Sequence, residues 1–373
     1  MVLVDILKVM VHKEASDLFI TAGVPPSCKI DGEVVPLVKQ PLTPEQARDL
    51  AYSVMNEKQR KEFETTKECN FAIHPAEIGR FRVNVFVQQS RVGMVLRRIN
   101  MEIPTFEDLH LPEILNDIAM TQRGLIVFVG GTGSGKSTSQ AAMIGYRNEH
   151  SRGHIVTIED PIEYVHEHNN CIVNQREVGV DTESFESALI NAMRQAPDVI
   201  QIGEIRTRDT MDNAIVFSET GHMCMATLHA NNTYQALDRI INFFPEERRN
   251  QLLMDLSLNL KALVSQRLLP IKNGSGRVPA VEVLINTPHI SDLILRGNIH
   301  EIKDAVKSAS EHGMQTFDQS LFQLHEDDLV TYDDAIKAAD SQNDLRLAIK
   351  LNGKAAHSTE FGESMSNLTV QNG

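Results

Sequence analysis

The sequence predicts an α/β protein with a smaller mixed region in front of its core. Three observations predict it. Between residue 124 and about 285, the short apolar runs "GLIVFVG", "HIVTIED", "DVIQIGE" and "MCMATLH" are separated by stretches of helical periodicity, the pattern of a largely parallel sheet covered by helices. Residues 1–99 mix helical and strand patterns and carry the signals of antiparallel hairpins. Residues 286–351 read as short helices with no strand of note, and 301–346 hold eleven acids against four bases. The expected division is therefore a first domain over 1–99, a linker over 100–112, a core over 113–285, a helical subdomain over 286–351 and a polar, disordered tail over 352–373.

In chain order, "MVLVDILKVMVHKEASD" has apolar residues at helical spacing, interrupted by Asp5, Lys8 and Lys13. No run of 18 apolar residues follows it anywhere, so neither an export signal nor an integral membrane segment is expected. "CKIDGEVVPL" reads as a hairpin around Asp31 and Gly32, and "TPEQARDLAYSVM" opens a helix with Thr43 and Gln46 at capping-box spacing and Pro44 in the first turn. The linker "NMEIPTFEDLHLP" is rich in polar and turn residues. Cys28, Cys69, Cys171 and Cys224 are far apart and form no C-x-x-C pair, which suits a reducing compartment and argues against a zinc site.

"GRFRVNVFVQQSRVGMVLRRI", residues 79–99, holds five arginines and no acid in a chain of formal net charge −14. Phe81, Val83 and Val85 alternate with Arg80, Arg82 and Asn84, so the stretch reads as two strands and a tight turn near Gln89 and Ser90. A two-residue turn pairs Arg82 with Arg97, and a three-residue turn pairs it with Arg98. Either register sets two cations side by side, which is unfavourable unless an anion sits on them. A solvated basic edge is the plain alternative. Arg97 and Arg98 are consecutive and are expected on opposite faces of a regular strand.

Chemistry starts at "GGTGSGKST", residues 130–138, which fits G-x-x-x-x-G-K-[ST] between an apolar strand and a helical stretch. Gly130, Gly131, Thr132, Gly133, Ser134, Gly135, Lys136, Ser137 and Thr138 are expected to cradle a nucleotide's phosphates. Lys136 would reach the β and γ oxygens and Ser137 would ligate Mg²⁺. Acids at neighbouring strand ends complete such a site. Glu204 in "DVIQIGE" is the candidate to position or deprotonate the attacking water, and Glu159, Asp160 and Glu163 in "IEDPIEY" are candidates to hold Mg²⁺. Glu163 is the second candidate for the catalytic acid. His222 and His229 are seven apart and cannot jointly hold a metal on a flat strand. One of them could sense the γ-phosphate, and a satisfied core histidine is the alternative for each. "HEH" at 166–168 reads as a solvated loop.

In that order and spacing, "GGTGSGKST", "TIEDPIEY", "VNQREV", "DVIQIGEIR" and "TGHMCMATLH" resemble the Walker A, Asp box, Walker B and His box of the type II/IV secretion ATPases. Within that superfamily the chain is most similar, over about residues 1–350, to the PilT/PilU retraction ATPases of type IV pili. The resemblance implies a PAS-like N-terminal domain and a RecA-like ATPase core, assembled as a cytoplasmic homo-hexamer that binds ATP and Mg²⁺ between subunits. It also implies two partners, a paralogous retraction ATPase ring and the pilus platform protein at the inner membrane. Arg82, Arg97 and Arg98 match by position the arginines that reach a neighbouring subunit's nucleotide, and both histidines join the candidate catalytic set. The four-cysteine insertion of the extension ATPases is absent from "LLPIKNGSGRVPAVEVL". "HISDLI" at 289–294 puts Ser291 where the family's arginine would stand, while "GMQT" at 313–316 is kept, which points to the accessory branch of the retraction ATPases.

Two other readings stay open at this point. A RecA-like nucleic-acid motor would need basic or aromatic channel loops, and the acidic balance is against it. A non-catalytic ATP-binding adaptor would not need Lys136 and Glu204 together.

Overall fold

The computed structural model describes residues 2–353, apart from positions 31, 77, 100, 101, 273, 275 and 310–312. The tail expected over 352–373 lies outside the described residues from 354 onward, as does Asp31 of the first hairpin. Two compact units divide the chain. The first comprises residues 1–103, 158–167 and 175–188, and the second 104–157, 168–174 and 189–373. The first unit thus runs past residue 99 and takes in two segments that the sequence reading places in the core. Glu177 explains part of this, since its carboxylate accepts from Ile162 N–H at 3.3 Å and lies 4.0 Å from Arg80.

The first unit's sheet contains β1 (Asp17–Thr21), β2 (Ser27–Ile30), β3 (Glu33–Pro36), β4 (Glu68–Ile73), β5 (Arg80–Gln88) and β6 (Arg91–Ile99). Its order is β3-β2-β1-β6-β5-β4, and every neighbouring pair is antiparallel. Helices Leu3–His12, Pro44–Tyr52 and Glu57–Thr66 supply Leu7, Met10, Ala47, Leu50 and Phe63 to one core with Leu18, Ile20, Phe81, Val83, Met94 and Leu96. The capping box at Thr43 and Gln46 forms with both of its hydrogen bonds. Gln88 pairs with Arg91, so the turn has two residues, and Gln89 and Ser90 both take positive φ, 48° and 60°. That conformation matches the twist of the flanking strands and fixes Arg82 opposite Arg97.

The second sheet adds β7 (Gly124–Val129), β8 (Gly153–Glu159), β9 (Cys171–Glu177), β10 (Val199–Ile202), β11 (Met223–Leu228), β12 (Leu260–Pro270) and β13 (Arg277–Ile285). Its order is β13-β12-β7-β11-β10-β8-β9. β12, β7, β11 and β10 pair in parallel, and β13 closes the edge antiparallel to β12. β7, β10 and β11 are buried along their whole length, which explains why they read as continuous apolar runs. β9 escaped the sequence reading because its burial is interrupted by Asn174, Gln175 and Arg176. Five α-helices follow β13 among the described residues, from Pro288 to Asn352. All four cysteines are buried free thiols.

Candidate active site

The glycine loop follows β7 and leads into helix Lys136–His150, at the carboxyl end of the parallel strands. A Cβ on Gly130 would lie 2.4 Å from Ser134 Oγ and 2.8 Å from Gln266 O, so only glycine fits there. Gly133 has open space around it but a φ of 76°, which favours glycine for conformational reasons. Lys136 is buried, and its Nζ donates to Gly130 O at 2.9 Å and Gly131 O at 2.8 Å, which holds the ammonium over the loop. Ser134 Oγ is buried with no hydrogen-bond partner among the described residues. An unsatisfied hydroxyl inside a glycine cradle at a helix N-terminus fits an anionic phosphate.

Two polar clips fix the helix behind the loop. Gln266 Nε2 of β12 donates to Ser139 Oγ at 2.7 Å, and Gln201 Nε2 of β10 donates to Gln140 Oε1 at 3.2 Å. Both glutamines are buried, Gln201 within an otherwise apolar strand. A polar residue at a fully buried strand position was the signal that could have found them.

Glu204 stands two residues past β10. Its Oε2 accepts from Arg206 Nε at 2.8 Å, and its Oε1 lies 3.1 Å from His229 Nε2. The turn that carries it is tied to β11 by Thr227, whose Oγ1 donates to Gly203 O at 2.5 Å and whose carbonyl accepts from Ile205 N–H at 2.8 Å. The carboxylate is therefore oriented from both sides, and its backbone is clamped one residue away on each side. Thr227 and Arg206 were not among the residues expected from the sequence.

His222 and His229 separate along β11. Met223 pairs with Gly124 and Leu228 with Val129, so His229 emerges at the glycine-loop end of the sheet and His222 at the other. Six strand residues span roughly 20 Å. His222 donates from Nδ1 to Phe217 O at 3.1 Å and takes no part in the Glu204 cluster, which removes it from the candidate catalytic set.

The arginines of the first unit also part company. Arg82, Arg97, Asp17 and Lys29 are register partners across β5, β6, β1 and β2. Arg97 Nε donates to the buried Asp17 carboxylate at 2.8 Å, so an anion for Arg97 lies within the chain itself. Arg82 makes no hydrogen bond and no ion pair within 4 Å among the described residues. Arg98 pairs in register with the buried Phe81, on the face opposite Arg97, as expected of consecutive strand residues. Burial pushes the carboxyl of Glu177 up, and the nearby charges of Arg80 and Arg82 oppose that shift.

Glu159, Asp160 and Glu163 belong to the first unit. Glu159 is buried, with Oε1 accepting from Gln175 Nε2 at 3.1 Å, and Glu163 is exposed. In the second unit the Ser137 hydroxyl makes no hydrogen bond among the described residues. Hydroxyl and carboxylate oxygens are the donor types that Mg²⁺ prefers. The expected solvated loop at 166–168 holds only in part: His168 is exposed, but His166 is buried and desolvation pushes its imidazole down to about 4.

The type II/IV secretion system protein family model matches residues 2–326. The chain is 60% identical to the type IV pilus ATPase PilU of Pseudomonas aeruginosa, over 97% of this chain and 95% of that protein. It is 40% identical to the type IV pilus retraction ATPase PilT of the same organism, over 90% and 97% respectively. A crystal structure of the pilus retraction motor PilT with bound ADP superposes with a TM-score of 0.87 at 42% identity, covering 93% of this chain and 99% of that one.

Proposed function

Since the chain belongs to the type II/IV secretion system protein family, and within it to the type IV pilus retraction ATPases, we propose that this ATP hydrolase works as a homo-hexameric, Mg²⁺-dependent accessory motor beside a paralogous PilT ring. The observation that carries the catalytic part is the Glu204 cluster at the glycine-loop end of the sheet. Lys136 and the helix N-terminus neutralise the phosphates. Glu204 orients the attacking water and takes its proton, while His229 sits one hydrogen bond away to register the γ-phosphate. Ser137 would ligate Mg²⁺, whose chemistry is to screen charge on the transferring phosphoryl group. Arg82 supplies the remaining cation to a neighbouring subunit's nucleotide. That it makes no hydrogen bond and no ion pair within 4 Å among the described residues supports that role, and Arg97's bond to Asp17 supports a part for Arg97 in holding the strand register.

The accessory assignment is supported by the higher identity to PilU than to PilT and by Ser291. Ser291 Oγ donates to Ser257 O at 2.7 Å, joining helix Pro288–Arg296 to helix Arg249–Asn259 where the family motif would place a charge. No helix among the described residues is long and apolar enough to cross a membrane, which agrees with a ring at the cytoplasmic face of the inner membrane, against the pilus platform protein. Pilus retraction scored with this chain alone, with the paralogue alone and with both tests the proposal. Retraction that needs the paralogue and gains force when this chain is added supports it, and full retraction by this chain alone overturns the accessory role.

A further inference from the structure

We propose that the polar cavity at the amino ends of β7, β8, β10 and β11 is a second anion site, for a small phosphate-bearing ligand, distinct from the nucleotide site. The cavity encloses about 480 Å³, within the range of small-molecule pockets, and Arg147, Arg152, His154, Asp198 and His222 line it. It lies entirely in the second unit. The strands between it and the glycine loop make it a separate place, roughly 20 Å away along β11.

The case rests on which of its groups are already committed. Arg147 is buried, and its Nη1 donates to Ala119 O at 2.8 Å, to Thr121 O at 2.7 Å and toward Met223 Sδ at 3.2 Å. Those acceptors are neutral. Its Nε and Nη2 make no hydrogen bond, and no carboxylate stands within ion-pair distance among the described residues. A buried guanidinium with no carboxylate in direct contact is costly, and the cost is relieved by an anion that binds its free edge. Desolvation holds this guanidinium below its ordinary value, and the nearby charge of Asp198 opposes that shift only in part.

The other lining groups divide clearly. His154 has both ring nitrogens engaged, with Gln195 O at 2.9 Å and Asn174 Nδ2 at 2.9 Å, so neither is left to meet a ligand. Asp198 Oδ2 accepts from His154 N–H at 2.7 Å. His222 spends Nδ1 on Phe217 O and keeps Nε2 without a partner among the described residues. Arg152 is exposed and makes no ion pair among the described residues. Two guanidinium groups and one imidazole nitrogen thus face one carboxylate, a balance that favours a tetrahedral oxyanion.

The test titrates inorganic phosphate into the full chain by calorimetry at constant ionic strength, with the glycine loop blocked by saturating ADP, and repeats it on Lys136→Ala. Saturable binding in both, weakened at least tenfold by Arg152→Gln combined with His222→Gln, is the expected result, and a tenfold loss corresponds to about 1.4 kcal/mol. Arg147→Gln should weaken binding further. Should that variant fail to fold, the double variant still decides the question. Absence of saturable binding up to about ten millimolar in the ADP-saturated chain, or binding unmoved by the double variant, overturns the site.

Discussion

Arg82 and Arg97 stand side by side on the first unit's sheet, and of the two only Arg97 has a carboxylate within ion-pair distance among the described residues. Glu204 in the second unit is met from both sides, by Arg206 and by His229, on a backbone clamped by Thr227. The difference lies in how each charge is satisfied. Glu204 has its partners in its own surroundings, whereas the first unit carries a cation whose like-charged neighbour makes it unfavourable as it stands. An unbalanced charge held at a fixed register is what a protein needs if another molecule is to supply the counter-charge. On the proposed function, the two units divide the task between chemistry and its trigger.

The largest effects should come from breaking the self-contained half. Lys136→Ala should abolish ATP turnover, and Glu204→Gln should keep nucleotide binding while lowering kcat by a factor of 10² or more, because charge neutralisation and water positioning are separate tasks. Equilibrium binding and steady-state hydrolysis separate them, and a Glu204→Gln protein that turns over at the parent rate would remove Glu204 from its role. Next comes the clamp. Thr227→Val keeps the shape of the side chain but loses the bond to Gly203 O, so kcat should fall roughly tenfold with KM for ATP little changed. A rise in KM alone would mean that Thr227 serves binding instead.

The motif residues were legible because glycines, a lysine and strand-end acids each have one stereochemical reason to stand where they do. "GGTGSGKST" and "DVIQIGE" place Lys136 and Glu204 by motif alone, and the alternation from Phe81 to Val85 places Arg80 and Arg82 on one face. The register could not be read to a single residue, since it turned on whether Gln89 and Ser90 alone form the turn. Nor could the sequence show that Asp17, eighty positions away, answers Arg97. Strand direction decided between His222 and His229, and direction is a property of the assembled sheet. Nor could the sequence show that segments 158–167 and 175–188 group with residues 1–103, because that grouping rests on contacts between residues far apart in the chain.

A pH series sharpens the comparison, because the two units carry buried groups of opposite sign. In the second unit, burial raises the Glu282 carboxyl from 4.5 to about 7, so its neutral folded form is tolerated below about 4.5 and its burial increasingly costs stability as the pH rises through 7. In the first unit, His166 is lowered from 6.5 to about 4, so stability present above 6.5 is lost as the pH falls toward 4. Glu282→Gln should therefore stabilise the protein by on the order of 2 kcal/mol at pH 8 and much less at pH 5, and His166→Gln should lessen the loss on acidification. Denaturant melts across pH 4–8 provide the check, and a Glu282→Gln gain that does not grow with pH would contradict the assignment. The smallest effect belongs to the strand register. Asp17→Asn should cost about 1 kcal/mol, since Arg97 is largely exposed and keeps its hydration. A loss above about 3 kcal/mol would show that Asp17 supports more of the sheet than this one pair.

Mixing two inactive variants tests the central claim, that the first unit's free cation acts on a neighbour's nucleotide. Lys136→Ala spoils its own glycine loop but keeps Arg82, and Arg82→Ala keeps a sound loop. In a head-to-tail ring a site is whole wherever an intact loop meets an intact arginine, about one interface in four after random equimolar exchange. With subunit exchange confirmed independently, ATP turnover of the mixture should rise clearly above that of either variant, toward roughly a quarter of the parent rate. Turnover that stays at the level of the separate variants, despite proven mixed rings, would contradict the account and return Arg82 to a solvated sheet face.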